Sequence, residues 1–126
     1  MVPLAAALAL SPMAASAQDA AAGQRVFNQC RACHTVEQGG RNGVGPNLYG
    51  VFGRKAGALD GFRYSASMRE KAGEGLAWTE ESLRAYLTNP KAVVPAGTMS
   101  YVGLRNEQQM NDLIAYLRQA TGAAPQ

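Results

Sequence analysis

The chain has 126 residues and a formal net charge of +3, from twelve basic and nine acidic side chains. That length predicts one domain. The mild charge, with no basic run and no interleaving of basic and aromatic residues, speaks against nucleic acid as a partner.

Residues 1–17 read as a secretory signal. An apolar run from Val2 to Leu10 is followed by Ser11-Pro12 and then by Ala15-Ser16-Ala17, a small-residue cleavage site. The run departs from the usual pattern in having no Lys or Arg before it. The alternative is an uncleaved anchor, but the run is too short to span a bilayer. Residues 18–126 are then the mature domain, expected in the periplasm. In an exported protein, cysteines not otherwise used tend to pair.

The first predicted helix runs from about Ala20, with Asp19 as N-cap, to Cys30-Arg31-Ala32-Cys33-His34. Val26 and Phe27 face inwards with the Cys30 turn. Cys-x-x-Cys-His is the attachment signature of c-type haem. Each thiol adds to one vinyl group, so both must project from the same side, as positions i and i+3 of a helical turn do. His34 then lies against the porphyrin face and can bind iron as the proximal ligand. Two alternatives use the same residues. A thiol–disulfide redox pair calls for a βαβ context, and no strand pattern is visible. A zinc site needs four ligands, whereas the chain has two Cys and one His.

The passage from Gly39 to Pro46 is predicted loop, and Asn47 to Gly61 continues as turns punctuated by Gly50, Gly53 and Gly57. So much irregular backbone in a small domain calls for another organiser, and a buried haem would add apolar core. A short helix is expected over 65–72. Thr79 caps a third, with Glu80 and Glu81 at its positive end and Leu83, Tyr86 and Leu87 as its apolar stripe. Asn89-Pro90 ends it, and a loop follows through Pro95 and Gly97 to Gly103. The last helix opens with Asn106 and Gln109 in a capping-box-like pattern. Met110, Leu113, Ile114 and Leu117 form its buried stripe, and Gly122 stops it. The fold class expected is all-α.

With no second His, methionine is the expected sixth ligand, and five are present. Met1 and Met13 lie in the leader, and Met110 lies on a core stripe. Met68 sits in a short helix. Met99 stands in Val94-Pro95-Ala96-Gly97-Thr98-Met99, a loop with no core face of its own, and is the preferred candidate; Met68 or an open sixth position are the alternatives. Thioether sulfur favours reduced iron and raises the potential. A six-coordinate iron has no site for substrate, which describes an electron carrier rather than an enzyme.

Several segments together resemble a known family. Cys30-x-x-Cys-His34, Gly45-Pro46-Asn47-Leu48, Phe52-Gly53-Arg54-Lys55, Trp78, Tyr86-Leu87-x-Asn89-Pro90 and Met99-x-Tyr101-x-Gly103 occur in the order and approximate spacing of class I cytochrome c. The resemblance is to the mitochondrial-like bacterial periplasmic type and covers residues 20–120. It implies a small helical fold wrapped around one haem c, covalent through Cys30 and Cys33, with iron held by His34 and Met99. It further implies that the Pro46 carbonyl orients His34. Arg54, Tyr64 and Trp78 would meet a buried propionate, and the Tyr86 hydroxyl would meet the ligand sulfur. Asn89 belongs to the same region. Gly23 and Phe27 would cross Leu113 and Tyr116 where the terminal helices meet. For the aromatic side chains, ordinary core packing is the alternative.

The chain departs from the family pattern at three places. Thr98 is displaced relative to the usual Pro-Gly-Thr-Lys-Met, which puts its propionate contact in question. Met68 stands where relatives often carry an internal asparagine. The stretch from Met68 to Trp78 is slightly longer than in mitochondrial forms.

The function implied is shuttling of single electrons between a cytochrome bc complex and a terminal oxidase or reaction centre. A dedicated electron acceptor for a periplasmic dehydrogenase is an alternative, and an open-iron haem enzyme or gas-binding protein is another. Arg31, Arg41, Arg63, Lys91 and Arg105 are the candidate basic ring for acidic docking surfaces on such membrane complexes; taken alone, each reads first as a solvated surface charge. Membrane contact would be peripheral only, and the chain is expected to be a monomer.

Overall fold

A computed structural model describes residues 18–124; the leader predicted over 1–17 lies outside the described residues. Five helices follow one another: α1 (Ala20–Phe27), α2 (Ala66–Gly73), α3 (Glu80–Thr88), α4 (Pro90–Val93) and α5 (Glu107–Ala120). Among the described residues there is no sheet, so the domain is all-α. One isolated antiparallel bridge, Lys55 with Ala77, lies outside the helices. None of the described helices is long and apolar enough to cross a membrane.

Helix starts follow local side-chain chemistry. The side chains of Asp19, Ser65, Thr79 and Asn106 each accept a hydrogen bond from a first-turn amide, satisfying one of the donors a helix leaves unpaired. The reciprocal capping box forms at α3. Ser82 N–H donates to the Thr79 hydroxyl oxygen, and Thr79 N–H donates to Ser82 Oγ. Gly122 follows α5 at φ 75°, a conformation that a side-chain-free residue adopts without strain.

One feature of the predicted 91–103 loop is corrected. Pro90 begins the short helix α4 instead of opening a loop. Proline suits a first helical position because its missing N–H would have had no partner there. Breaking α3 and starting α4 are therefore two effects of the same residue.

The terminal helices α1 and α5 cross in close contact. At Gly23 a Cβ would overlap the Asp112 carbonyl oxygen and stand 2.8 Å from Tyr116 Cβ. The missing side chain is what lets the two backbones meet. Phe27 packs on Tyr116 with ring centroids 5.4 Å apart, and Phe27, Leu113 and Ile114 are almost wholly buried. Each such side chain contributes about 1.5–3 kcal/mol on leaving water. A buried carboxylate joins the same crossing. Asp112 accepts from the backbone N–H of Asp19 at 3.0 Å and from the Gln108 amide at 2.9 Å. This tie between the start of α1 and the middle of α5 was not legible in the sequence.

Outside the helices, the backbone is organised by Asn47. Its side-chain amide donates to Thr35 Oγ1 and to the Glu37 carbonyl, and its side-chain oxygen accepts from Tyr49 N–H. Its own N–H donates to the Asn42 side chain. Asn47 is 7 % exposed, and a buried amide is stabilising only when its polar atoms are satisfied in this way. A second organiser is the pairing of segments 53–56 and 76–78. Gly53 N–H donates to the Trp78 carbonyl, Trp78 N–H to Arg54 and Ala56 N–H to Leu76.

Candidate functional site

All nine candidate cofactor-binding residues line one cavity of about 200 Å³. They are Cys30, Cys33, His34, Pro46, Arg54, Tyr64, Trp78, Tyr86 and Met99. They reach it from separate parts of the chain. Cys30, Cys33 and His34 come from the turns after α1, and Pro46 and Arg54 from the glycine-rich passage. Tyr64 precedes α2, Trp78 and Tyr86 belong to the α3 region, and Met99 follows α4. Leu83, Leu87, Leu113 and Leu117 add apolar wall.

α1 ends at Phe27, and the motif winds on as tight turns. Cys33 N–H and His34 N–H both donate to the Cys30 carbonyl, at 3.1 and 3.0 Å. The two thiols are thereby brought to the same cavity. Burial, with Cys33 as a second cause, pushes the Cys30 thiol up to about 11. A thiol–disulfide catalyst needs the opposite, a thiolate stabilised near neutral pH. Among the described residues, no group of three or more His, Cys, Asp or Glu assembles that could hold a metal ion, so nothing completes a zinc set around the two thiols.

The His34 ring is fixed by its neighbours. Its Nδ1 lies 2.7 Å from the Pro46 carbonyl oxygen. A carbonyl can only accept, so Nδ1 carries the proton and Nε2 keeps its lone pair. Burial lowers the imidazole pKa, the bond to Pro46 opposing it, which keeps the ring neutral near neutral pH. Gly45 lies against the ring: a Cβ there would overlap the ring's Cε1 and stand 2.6 Å from Nε2. Gly45 was quoted in the sequence only as part of a motif; its close approach to the ring is a tertiary fact.

Arg54 donates to the carbonyls of Asn47 and Tyr49 through its two terminal nitrogens, at 3.2 and 3.3 Å. Its Nε is buried and has no hydrogen-bond partner. Desolvation lowers its pKa, and the Tyr64 hydroxyl nearby opposes this. A partly buried guanidinium with one N–H left unpaired beside a tyrosine is a ready receptor for a carboxylate. Tyr64 accepts from Leu59 N–H at 3.2 Å through its hydroxyl oxygen, so its O–H proton is available to donate. Trp78 and Tyr86 pack together at 5.0 Å, and burial raises the Tyr86 hydroxyl pKa, keeping it a neutral donor.

Thiols, a neutral ring nitrogen, a thioether sulfur and a partly buried cation therefore surround an apolar cavity. It fits a haem: two thiols for the vinyl groups, a lone pair and a thioether for iron, and a guanidinium with one unpaired N–H for a propionate. Met68, partly buried, also lines the cavity, as does the exposed Thr98. The departure at Met68 thus places an apolar side chain in the interior. All five candidate docking cations are exposed, and among the described residues Arg41, Arg63 and Arg105 carry no side-chain hydrogen bond or ion pair. Arg31 bonds Asn28 and lies over the Phe27 ring. Lys91 is exposed as well, and its ammonium donates to the Gly97 carbonyl at 3.1 Å.

The family model described as Cytochrome c matches residues 20–121. A cytochrome c2 from Blastochloris viridis is 46 % identical over 112 residues, covering 89 % of this chain and 86 % of that protein. A cytochrome c2 from Rhodomicrobium vannielii is 47 % identical over 112 residues, covering 89 % and 87 %. A cytochrome c from the plant Guizotia abyssinica is 44 % identical over 108 residues, covering 85 % and 95 %.

Proposed function

We propose, from the premise that this chain belongs to the cytochrome c family, that it shuttles single electrons between a cytochrome bc complex and a terminal oxidase or reaction centre. Members of the family are electron carriers, not enzymes, and they hold haem c covalently through a cysteine pair; Cys30 and Cys33 supply that pair here. When bound, haem c supplies a one-electron iron couple. His34 presents Nε2, with its tautomer set by Pro46, and Met99 presents its sulfur. Arg54 would supply the charge that balances a propionate, with Tyr64 and Trp78 as hydrogen-bond donors beside it, and Tyr86 would donate toward the ligand sulfur.

The observation that carries this reading is that His34 and Met99, 65 residues apart in sequence, line the same apolar cavity. With His34 and Met99 both holding the iron, no position would be left on it for a substrate. Exposing the ferrous holoprotein to carbon monoxide tests this. No spectral change near neutral pH is expected, and rapid uptake would show an open site.

The leader sequence and the thiol chemistry support a periplasmic location, with a monomer meeting its partners at the membrane surface. Arg41, Arg63 and Arg105 supply the docking charge. Association with an acidic partner surface is then steered by charge. Stopped-flow electron transfer to purified partner complexes is expected to slow as salt rises through about 0.1 M, where the screening length is about 10 Å. A flat response would remove the steering role. The same measurement against a periplasmic dehydrogenase separates the two partner assignments, since only the true donor and acceptor react fast.

A further inference from the structure

The segment Pro95–Thr98 carries Met99 to the cavity, and two side chains from other helices grip its backbone. The Ser67 hydroxyl, in the first turn of α2, accepts from Ala96 N–H at 3.2 Å across 29 residues of sequence. The Lys91 ammonium, on α4, donates to the Gly97 carbonyl at 3.1 Å. One contact holds an N–H and the other a C=O of adjacent residues, from two separate elements. The remaining bonds of this stretch are local. Gly97 N–H donates to Val94, and Tyr101 N–H donates to Met99. Gly97 itself is confined, since a Cβ there would stand 3.0 Å from Val94 Cγ1.

We infer that Ser67 and Lys91 form a two-point latch that positions the Met99 loop and sets how often it opens. Both are positioning residues, and neither lines the cavity. Each contact is a single hydrogen bond near the surface, where water competes, so releasing one lowers the cost of opening only modestly. Lys91 thereby serves the loop instead of a partner, and α2 gains a role beyond packing: it buries no residue fully, yet it ties its segment to the ligand loop. The inference rests on Met99 being an iron ligand.

The test uses the ferric holoprotein and imidazole as an added ligand, which enters only when the loop swings away. Ser67→Ala and Lys91→Met are each expected to raise the limiting rate of imidazole binding about fivefold, the factor one ordinary hydrogen bond is worth. Ser67→Thr, which keeps the hydroxyl, should stay near the wild-type rate. In parallel, hydrogen exchange at the Ala96 amide should accelerate in Ser67→Ala and not in Ser67→Thr. Unchanged entry and exchange rates in both loss-of-contact variants would overturn the latch. If the wild-type ferric protein lacks the near-infrared sulfur-to-iron band, the ligand assignment fails and the latch falls with it. With the band present, unchanged variant rates sink the latch alone.

Discussion

Replacing Met99 by Ala is expected to abolish the near-infrared sulfur-to-iron absorption of the ferric holoprotein and to lower its reduction potential by some tenths of a volt. The direction follows from ligand softness. Thioether sulfur stabilises reduced iron, and axial ligation spans a range of roughly 0.8 V. Loss of sulfur removes that preference, and the vacated position then accepts water or added ligands. Met68 supplies the internal control, since it too lines the cavity. Met68→Ala should keep the band. Met110→Ala, on the buried stripe of α5, should lower stability by about 2–5 kcal/mol while leaving the band in place. Potentiometric titration and near-infrared spectra of the three variants check the set. A Met99→Ala protein with an unchanged band and potential would remove Met99 from the iron.

Gly23→Val is expected to be the most damaging substitution for stability. Its Cβ would overlap the Asp112 carbonyl oxygen, and Tyr116 Cβ would stand 2.8 Å away. A flexible side chain could swing aside, but a helix backbone cannot, so α1 and α5 must separate. Separation loosens the Phe27–Tyr116 contact and the bond from Asp19 N–H to Asp112. Overpacking alone costs about 1–3 kcal/mol, and the loss of these contacts adds to it. A domain of this size has only about 5–15 kcal/mol in hand, and each 1 kcal/mol lowers Tm by roughly 4–8 °C. Gly73→Ala gives the contrast: Gly73 is also helical, but nothing stands within 4 Å of its added Cβ. That variant should gain about 0.5–1 kcal/mol from reduced backbone freedom. Thermal unfolding of the two holoproteins, followed by circular dichroism, decides the matter. A Gly23→Val Tm equal to wild type would mean that the crossing is not clamped.

Much of the domain was legible from short stretches. Helix starts at Asp19, Ser65, Thr79 and Asn106 are visible because a capping side chain acts on amides two or three residues away. The stripe of Met110, Leu113, Ile114 and Leu117 is visible because helical periodicity is local. Cys30, Cys33 and His34 are visible because their chemistry requires a fixed spacing. The α4 helix is not visible in the sequence, because Pro90 marks the end of α3 as readily as the start of a new helix. Gln109 points to a capping box at α5, but the reciprocal box forms at α3, where Ser82 performs the same exchange. Asn47 and Asp112 were missed as organisers because a polar residue in a loop or on a helix carries no mark of what it will bond.

What the sequence determined by itself is therefore the chemistry: two thiols and an imidazole within one turn, a methionine in a loop without a core face, and helices with caps and apolar stripes. Each depends on neighbours within a few residues, where chain connectivity sets the geometry. Only the tertiary structure decided which of these meet. It put Nδ1 of His34 on the Pro46 carbonyl, set Gly45 against that ring, left Arg54 Nε buried without a partner and laid the Lys91 ammonium on the Gly97 carbonyl at the surface. Those contacts join residues whose separation along the chain says nothing about their distance in space. Close packing and the need to satisfy buried polar groups select them, and both conditions belong to the folded chain as a whole.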